Sequence, residues 1–331
     1  MIQPIENLEP LQAQQLAPLF AAVWPEQRNH ATDIRWAFQS SPLGSGLLLV
    51  ARDSDNSSII TGARGSIPWP LCLADDTSAK VHQLHGTCVH PDYRRLGLFT
   101  QLNRTFLEQY EAMDGAAVFN ISVAASRAGY EKLGWTYLPG LRRYLYFARP
   151  LAFAKTMLGN RGRLRSMLQS EHSRNDALPS WTVLQDLAEV REQALKGFHH
   201  TSPDETWLAW RYSRVDQGYR FVYRVDIGWC SYRMRRSGQI IEALLGDVWL
   251  LNARPSSVRA LLSKVIEAEH PTIVSVLLTR GHPWHHAFVR AGFIPDWKGD
   301  LNFGVKLVGD AAHSMVDASR WALMTADIDT F

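Results

Sequence analysis

The sequence predicts a mixed α/β protein built as two similar halves, and three observations carry that reading. Through the first half, short apolar stretches alternate with stretches whose apolar residues recur at helical spacing. Three short segments of the first half return in the same order in the second. A length of 331 residues, 46% hydrophobic and 20% charged, suits about two globular domains with real cores.

Taken in order, Leu11 to Val23 has helical apolar spacing. Leu47 to Arg52 and Ile59 to Ile67 read as a hairpin across the polar turn at 53–58. A further strand, Val81 to Val89, runs into His90-Pro91-Asp92-Tyr93-Arg94-Arg95-Leu96-Gly97, after which Leu98, Leu102, Phe106, Leu107 and Tyr110 give one apolar helix face. Then come a strand at Ala116 to Val123, a short helix from Ser126 to Leu133 closed by Gly134, and a strand at Trp135 to Leu138.

The pattern weakens between about Arg149 and Ser180, where Lys155, Arg161, Arg163 and Arg165 make a basic stretch and 171–176 is polar. A domain of residues 1–146, a linker with helical pieces at 147–180 and a second domain at 181–331 are expected. In the second domain Leu208-Ala209-Trp210-Arg211-Tyr212 echoes Ile34-Arg35-Trp36-Ala37-Phe38, and Leu245-Gly246-Asp247 echoes His85-Gly86-Thr87. Phe288 to Phe293 echoes Tyr130 to Trp135.

Composition excludes several classes. A net charge of +3, from 35 Lys plus Arg and 32 Asp plus Glu, is too near neutrality for a protein living on nucleic-acid backbones, so no nucleic-acid partner is expected. No apolar run reaches the roughly 18 residues of a membrane span. The first residues lack the basic start and apolar block of a signal peptide. Cys72, Cys88 and Cys230, an odd and widely spaced set, point to reduced thiols in a cytoplasm.

The chemistry sits in Val89 to Phe99. Here a glycine and two arginines stand where a helix leaves a strand, and a helix N-terminus offers unpaired amides and partial positive charge to an anion. Neither a Walker loop nor a dinucleotide fingerprint is present. An ordinary strand-to-helix turn with surface arginines would have the same spacing.

These residues resemble the acyl-CoA-binding segment of the GNAT N-acetyltransferase superfamily, roughly V-x-P-x-x-R-x-x-G-x-G/A, and Tyr130 to Trp135 resembles that family's later Y-x-x-x-G-F motif. The resemblance covers residues 1–146, with the second half a degenerate copy, and implies two tandem GNAT-like domains, each a twisted mixed sheet flanked by helices. It implies that amides of Arg94, Arg95, Leu96, Gly97, Leu98 and Phe99 hold the pyrophosphate of acetyl-CoA or another acyl-CoA. The strand ending Thr87-Cys88-Val89 would run beside the pantetheine arm. Phe99 departs from the pattern's Gly or Ala, and Val123 stands where many relatives have Asn.

Acyl transfer expels a thiolate, and the phenol of Tyr130 can supply its proton. The alternative for Tyr130 is core packing. An attacking amine must lose a proton, and His85, which alternation puts on one strand face with Thr87 and Val89, is the candidate base; an edge histidine without a role is the alternative. The histidines at 199–200 and 282–286 lack a carboxylate or cysteine to complete a metal set, so no metal is expected. The tryptophans, Trp207, Trp210, Trp229, Trp249, Trp284 and Trp297 among them, suit either a core or an acceptor pocket.

In the second half the turn at 250–257 lacks glycine and the counterpart of Tyr130 is Phe288, so a scaffold that shapes the acceptor site is expected. The expected activity is N-acyl transfer to a small-molecule or peptide amine. Its rivals are a non-catalytic CoA-binding regulatory module and an interaction protein of two inactive domains.

Overall fold

A computed structural model describes residues 5–26, 30–159, 169–170, 176–309 and 313–328. The main strands are β1 (Glu6–Asn7), β2 (Leu48–Arg52), β3 (Ile60–Trp69), β4 (Val81–Val89), β5 (Ala117–Ser122), β6 (Thr136–Leu138), β7 (Leu141–Phe147), β8 (Arg220–Arg224), β9 (Gly228–Ser237), β10 (Ile240–Leu250), β11 (Ile273–Thr279), β12 (Ile294–Asp300) and β13 (Asn302–Leu307). The helices are α1 (Ala17–Val23), α2 (His30–Gln39), α3 (Leu98–Ala112), α4 (Ala124–Lys132), α5 (Pro150–Gly159), α6 (Trp181–Leu195), α7 (Glu205–Arg211), α8 (Pro255–Glu269) and α9 (His285–Ala291). The protein is mixed α/β and forms two compact units, each with its own sheet.

The first sheet runs β1-β2-β3-β4-β5-β13-β6, with β4 and β5 parallel and every other neighbouring pair antiparallel. The second runs β8-β9-β10-β11-β7-β12, with β10 and β11 as its parallel pair. A helix bridges the parallel strands in each case, α3 in the first unit and α8 in the second, as a crossover requires.

The slot after the parallel pair is filled reciprocally. β13, from the end of the chain, lies between β5 and β6, whereas β7, from the middle, lies between β11 and β12. The first unit therefore runs to Leu138, apart from Ala74–Asp76, and regains Asn302–Asp317, while the second takes Ala74–Asp76, Pro139–Leu301 and the chain from Ala318. Contiguous domains of 1–146 and 181–331 are corrected accordingly. The physical reason is that alternation identifies 141–147 and 302–307 as strands but carries no signal for which ladder they join. Within 147–180, α5 is helical; residues 160–168 and 171–175, with Arg161, Arg163 and Arg165, lie outside the described residues.

Local physics sets the elements around the site. In β3 nine of ten residues are buried, as a central strand covered on both faces demands. The hairpin turn before it is fixed by Asp53, whose Oδ1 accepts from the amides of Asp55 and Asn56 at 2.9 Å each. In α3, Leu98, Leu102, Phe106 and Tyr110 are buried along one stripe and meet Leu49 and Leu84 of the sheet. α4 ends at Lys132 with Leu133 as its C-cap, and Gly134 follows at φ +76°, a left-handed position that glycine adopts without strain.

Candidate active site

The turn expected to hold an anion is built as a helix entrance. Pro91–Tyr93 forms one turn of tight helix, Arg95 and Gly97 both take left-handed φ, +67° and +81°, and Gly97 caps α3. Arg94, Arg95, Leu96 and Gly97 are exposed, Leu98 is buried and Phe99 half-buried. A side chain at Gly97 would meet no atom within 4 Å, so its φ rather than crowding calls for glycine, and the space before α3 is open. The first amides of the helix have no intrahelical acceptor.

Phe99 points the other way. Its ring lies 5.1 Å from that of Tyr130, edge to face, and its Cε1 would stand 2.7 Å from a Cβ at Gly129. The bulk that departs from the motif is accommodated by a glycine thirty residues later, and leaves the amide end of α3 clear.

Beside this turn β4 loses a neighbour. Its parallel ladder with β5 covers only Val81↔Ala117, His82↔Val118 and Gln83↔Phe119, and beyond Gln83 the two strands no longer pair. On its other side, the ladder with β3 slips between Gly65↔His85 and Ala63↔Cys88, so that Gly86 and Thr87 together oppose Arg64. Gly86 sits at φ +65°, and a Cβ there would come 2.9 Å from Phe20.

That bulge reverses the facing of His85. Leu84 packs in the α3-side core, Thr87 bonds Arg64, and Val89 joins that core too, whereas His85 lies 5.6 Å from the Phe38 ring and 6.1 Å from Trp36 of α2. His85 thus occupies the sheet face opposite Thr87 and Val89, a correction to simple alternation caused by the extra residue. Its Nε2 is 3.4 Å from Asp33 Oδ2. Cys88 is buried, and desolvation pushes its thiol far above the usual range, so it is no thiolate.

Tyr130, 2% exposed, is the centre of a polar cluster inside an apolar shell. Arg64 Nη1 donates to Tyr130 Oη at 3.1 Å and to Thr87 Oγ1 at 2.6 Å, and Asn120 Nδ2 donates to the same Oη at 3.4 Å. Neither bond to Oη uses the phenolic hydrogen, which remains available to an acceptor. Trp135 lies over the ring at 4.8 Å. Burial lowers the basicity of Arg64, and the adjacent Tyr130 opposes that shift.

These observations can be set beside known proteins. Residues 4–138 match the acetyltransferase (GNAT) domain family. No curated protein matches the chain in sequence. Among solved structures, a conserved protein of unknown function from Enterococcus faecalis V583, described as a probable N-acyltransferase, aligns with TM-score 0.63 at 9% identity, over 93% of this chain and 73% of that one. A GCN5-related N-acetyltransferase from Kribbella flavida gives 0.59 at 13% identity, over 93% and 71%. Eis1 from Mycobacterium abscessus gives 0.55 at 13%, over 93% and 74%. At such identities the likeness is one of fold.

The GNAT-matching unit brings together Tyr130, Thr87 and the α3 side of β4, and sets His85 on the opposite face. Sequence reading missed Arg64, Asn120, Asp33 and Gly129. Asn120 lies on β5, three residues before the Val123 position where an asparagine was looked for, and a polar residue inside an apolar strand was the available signal. Nothing local marks Asp33 or Arg64, because their partners are 52 and 66 residues away.

In the second unit the matching ladder slips between Cys230↔Val248 and Tyr232↔Leu245, which sets Ser231 opposite Gly246 and Asp247. Ser231 bonds Tyr212 Oη at 2.7 Å and the Asp247 amide at 2.8 Å, and Tyr212 also donates to Asp247. Phe288 is fully buried among apolar neighbours. Trp229, Trp249 and Trp284 belong to that core, Trp207 and Trp210 are buried as well, and Trp297 is exposed.

Three histidines of this unit are engaged locally. His200 bonds Glu192 at 2.8 Å and His285 bonds Tyr144 at 2.8 Å, while His282, its pKa lowered by burial, accepts from the Trp284 amide. Among the described residues no group of three His, Cys, Asp or Glu could hold a metal, and no helix is long and apolar enough to cross a membrane.

Proposed function

We propose that this protein is an acyl-CoA-dependent N-acyltransferase, with acetyl-CoA the expected donor and a primary amine, small molecule or peptide, the acceptor. The observation that carries the reading is the buried Tyr130 hydroxyl, which accepts from Arg64 and Asn120 and keeps its own hydrogen beside the point where β4 and β5 stop pairing.

The chain's residues divide the work. Amides of Arg95 to Phe99 at the α3 N-terminus bind the pyrophosphate, aided by the open space at Gly97, whereas the Arg94 amide expected with them donates to the Pro91 carbonyl. The edge of β4 that β5 leaves unpaired, through Cys88 and Val89, aligns the pantetheine arm and the acyl carbonyl. His85, oriented by Asp33, takes a proton from the amine, a step worth about 4 kcal/mol for an amine of pKa near 10 at pH 7. The amine nitrogen bonds to the acyl carbon and releases its second proton to water, the carbon–sulfur bond breaks with its electrons on sulfur, and Tyr130 gives its proton to the thiolate and is reprotonated from water. No covalent enzyme intermediate is needed, in keeping with the protonated state of Cys88.

The second unit is read as a degenerate GNAT-like copy without acyl transfer, because the phenol and the glycine turn are both replaced. Reduced thiols fit a cytoplasmic setting. The test is a panel of amines assayed for acetyl-CoA-dependent release of free CoA. Release with at least one amine supports the enzyme, whereas tight acetyl-CoA binding with no release across the panel favours a CoA-binding regulatory module.

A further inference from the structure

Arg64 is hard to explain by folding. It sits in mid-β3 opposite Leu49 with no exposed surface, and its guanidinium carbon is 4.8 Å from the centroid of the Phe106 ring and 5.6 Å from that of Tyr130. The two hydrogens of Nη1 go to Thr87 and Tyr130, while Nε and Nη2 are buried and donate to nothing among the described residues. No carboxylate among them pairs with it. A buried cation without a counter-ion opposes folding, and orphaned donors add to that cost.

An apolar side chain of similar volume would suit the neighbouring Leu49 and Phe106 better. In the second unit the ladder position of Arg64 is taken by Ser231, which bonds Tyr212 and the Asp247 amide, and the motif position of Tyr130 by Phe288.

We propose that Arg64 is a positioning residue for acyl transfer, holding Tyr130 Oη as an acceptor so that the phenolic hydrogen is directed at the leaving sulfur. Its uncompensated charge also favours the negative charge that gathers there as the carbon–sulfur bond breaks. Arg64 keeps all its protons throughout; the proton that reaches sulfur is that of Tyr130. This inference rests on the general-acid reading of Tyr130, and the experiment separates the two.

Four proteins decide it: the parent, Arg64→Met, Tyr130→Phe and the double variant, each measured for kcat, KM for acetyl-CoA and melting temperature. Arg64→Met is expected to lower kcat about 10- to 100-fold at nearly constant KM, with a melting temperature equal to or above the parent's. In the Tyr130→Phe background the same change should cost less than about threefold, because the hydroxyl through which Arg64 acts is gone. Arg64→Lys, with charge but no fork, should recover part of the rate.

An equal loss of kcat in both backgrounds, or no loss in the parent, overturns the inference and leaves Tyr130 standing. Parent-like turnover of Tyr130→Phe alone removes the underlying reading instead. If Arg64→Met does not fold, the cycle is run with Arg64→Lys, whose loss must again vanish in the Tyr130→Phe background.

Discussion

Phe99 meets Tyr130 edge-on at 5.1 Å, and it fits there because residue 129 has no side chain. The two helices that present the anion turn and the phenol, α3 and α4, are thus keyed to each other through one aromatic pair and one glycine.

Gly129→Ala tests this keying. In an open helix the change would stabilise by about 1 kcal/mol, but here the new Cβ would stand 2.7 Å from Phe99 Cε1, and overpacking of about 1–3 kcal/mol is expected to win. Urea denaturation should show Gly129→Ala less stable than the parent. Adding Phe99→Leu should restore most of the loss; a stabilised single variant would show the contact to be slack.

Gly97 separates conformation from charge. Gly97→Ala meets no atom within 4 Å and bears only the left-handed φ of +81°, about 1–2 kcal/mol, whereas Gly97→Asp also brings negative charge to the helix entrance. Calorimetry should find acetyl-CoA binding weakened at least tenfold, about 1.4 kcal/mol, for the aspartate beyond any effect of the alanine. The same titrations should give one site per chain, and two equivalent sites would contradict the reading of the second unit.

The base is tested through its orienting carboxylate. His85→Gln should lower kcat/KM by about 100-fold, and Asp33→Asn by a smaller factor that nearly disappears in the His85→Gln background. Unchanged kinetics of His85→Gln would leave proton removal to water.

His82 links the fold to pH. It is 2% exposed, its Nδ1 lies 2.9 Å from Ser66 Oγ, and burial, with Lys80 adding to it, pushes its pKa down to about 3. Because the unfolded chain titrates near 6.5, it binds more protons between the two values, so this stability is complete above about pH 6.5 and is lost as pH falls toward 3. About 2 kcal/mol should be gone by pH 5. Denaturation at pH 7 and pH 5 should show a clearly smaller drop for His82→Gln than for the parent.

The two-unit mixed α/β architecture was legible because strand and helix periods differ and because three motifs recur in order. The α3 stripe was readable from Leu98, Leu102, Phe106 and Tyr110 alone. What periodicity does not encode is pairing across long separations, so the reciprocal places of β7 and β13 were out of reach. The facing of His85 was hidden by one extra residue at Gly86, which inverts alternation without altering composition. Tyr130 announced itself through its motif, but Arg64, which touches it, did so only in three dimensions.

The most direct test of the central claim is single-turnover kinetics of Tyr130→Phe with a reactive amine, under conditions where acyl transfer limits the rate. The account expects a fall of about 10- to 1,000-fold, with acetyl-CoA affinity and melting temperature nearly unchanged, since the lost interaction belongs to the transition state and the ring that packs Phe99 and Trp135 remains. A rate equal to the parent's would contradict it, reducing Tyr130 to a packing residue and returning the leaving group's proton to water.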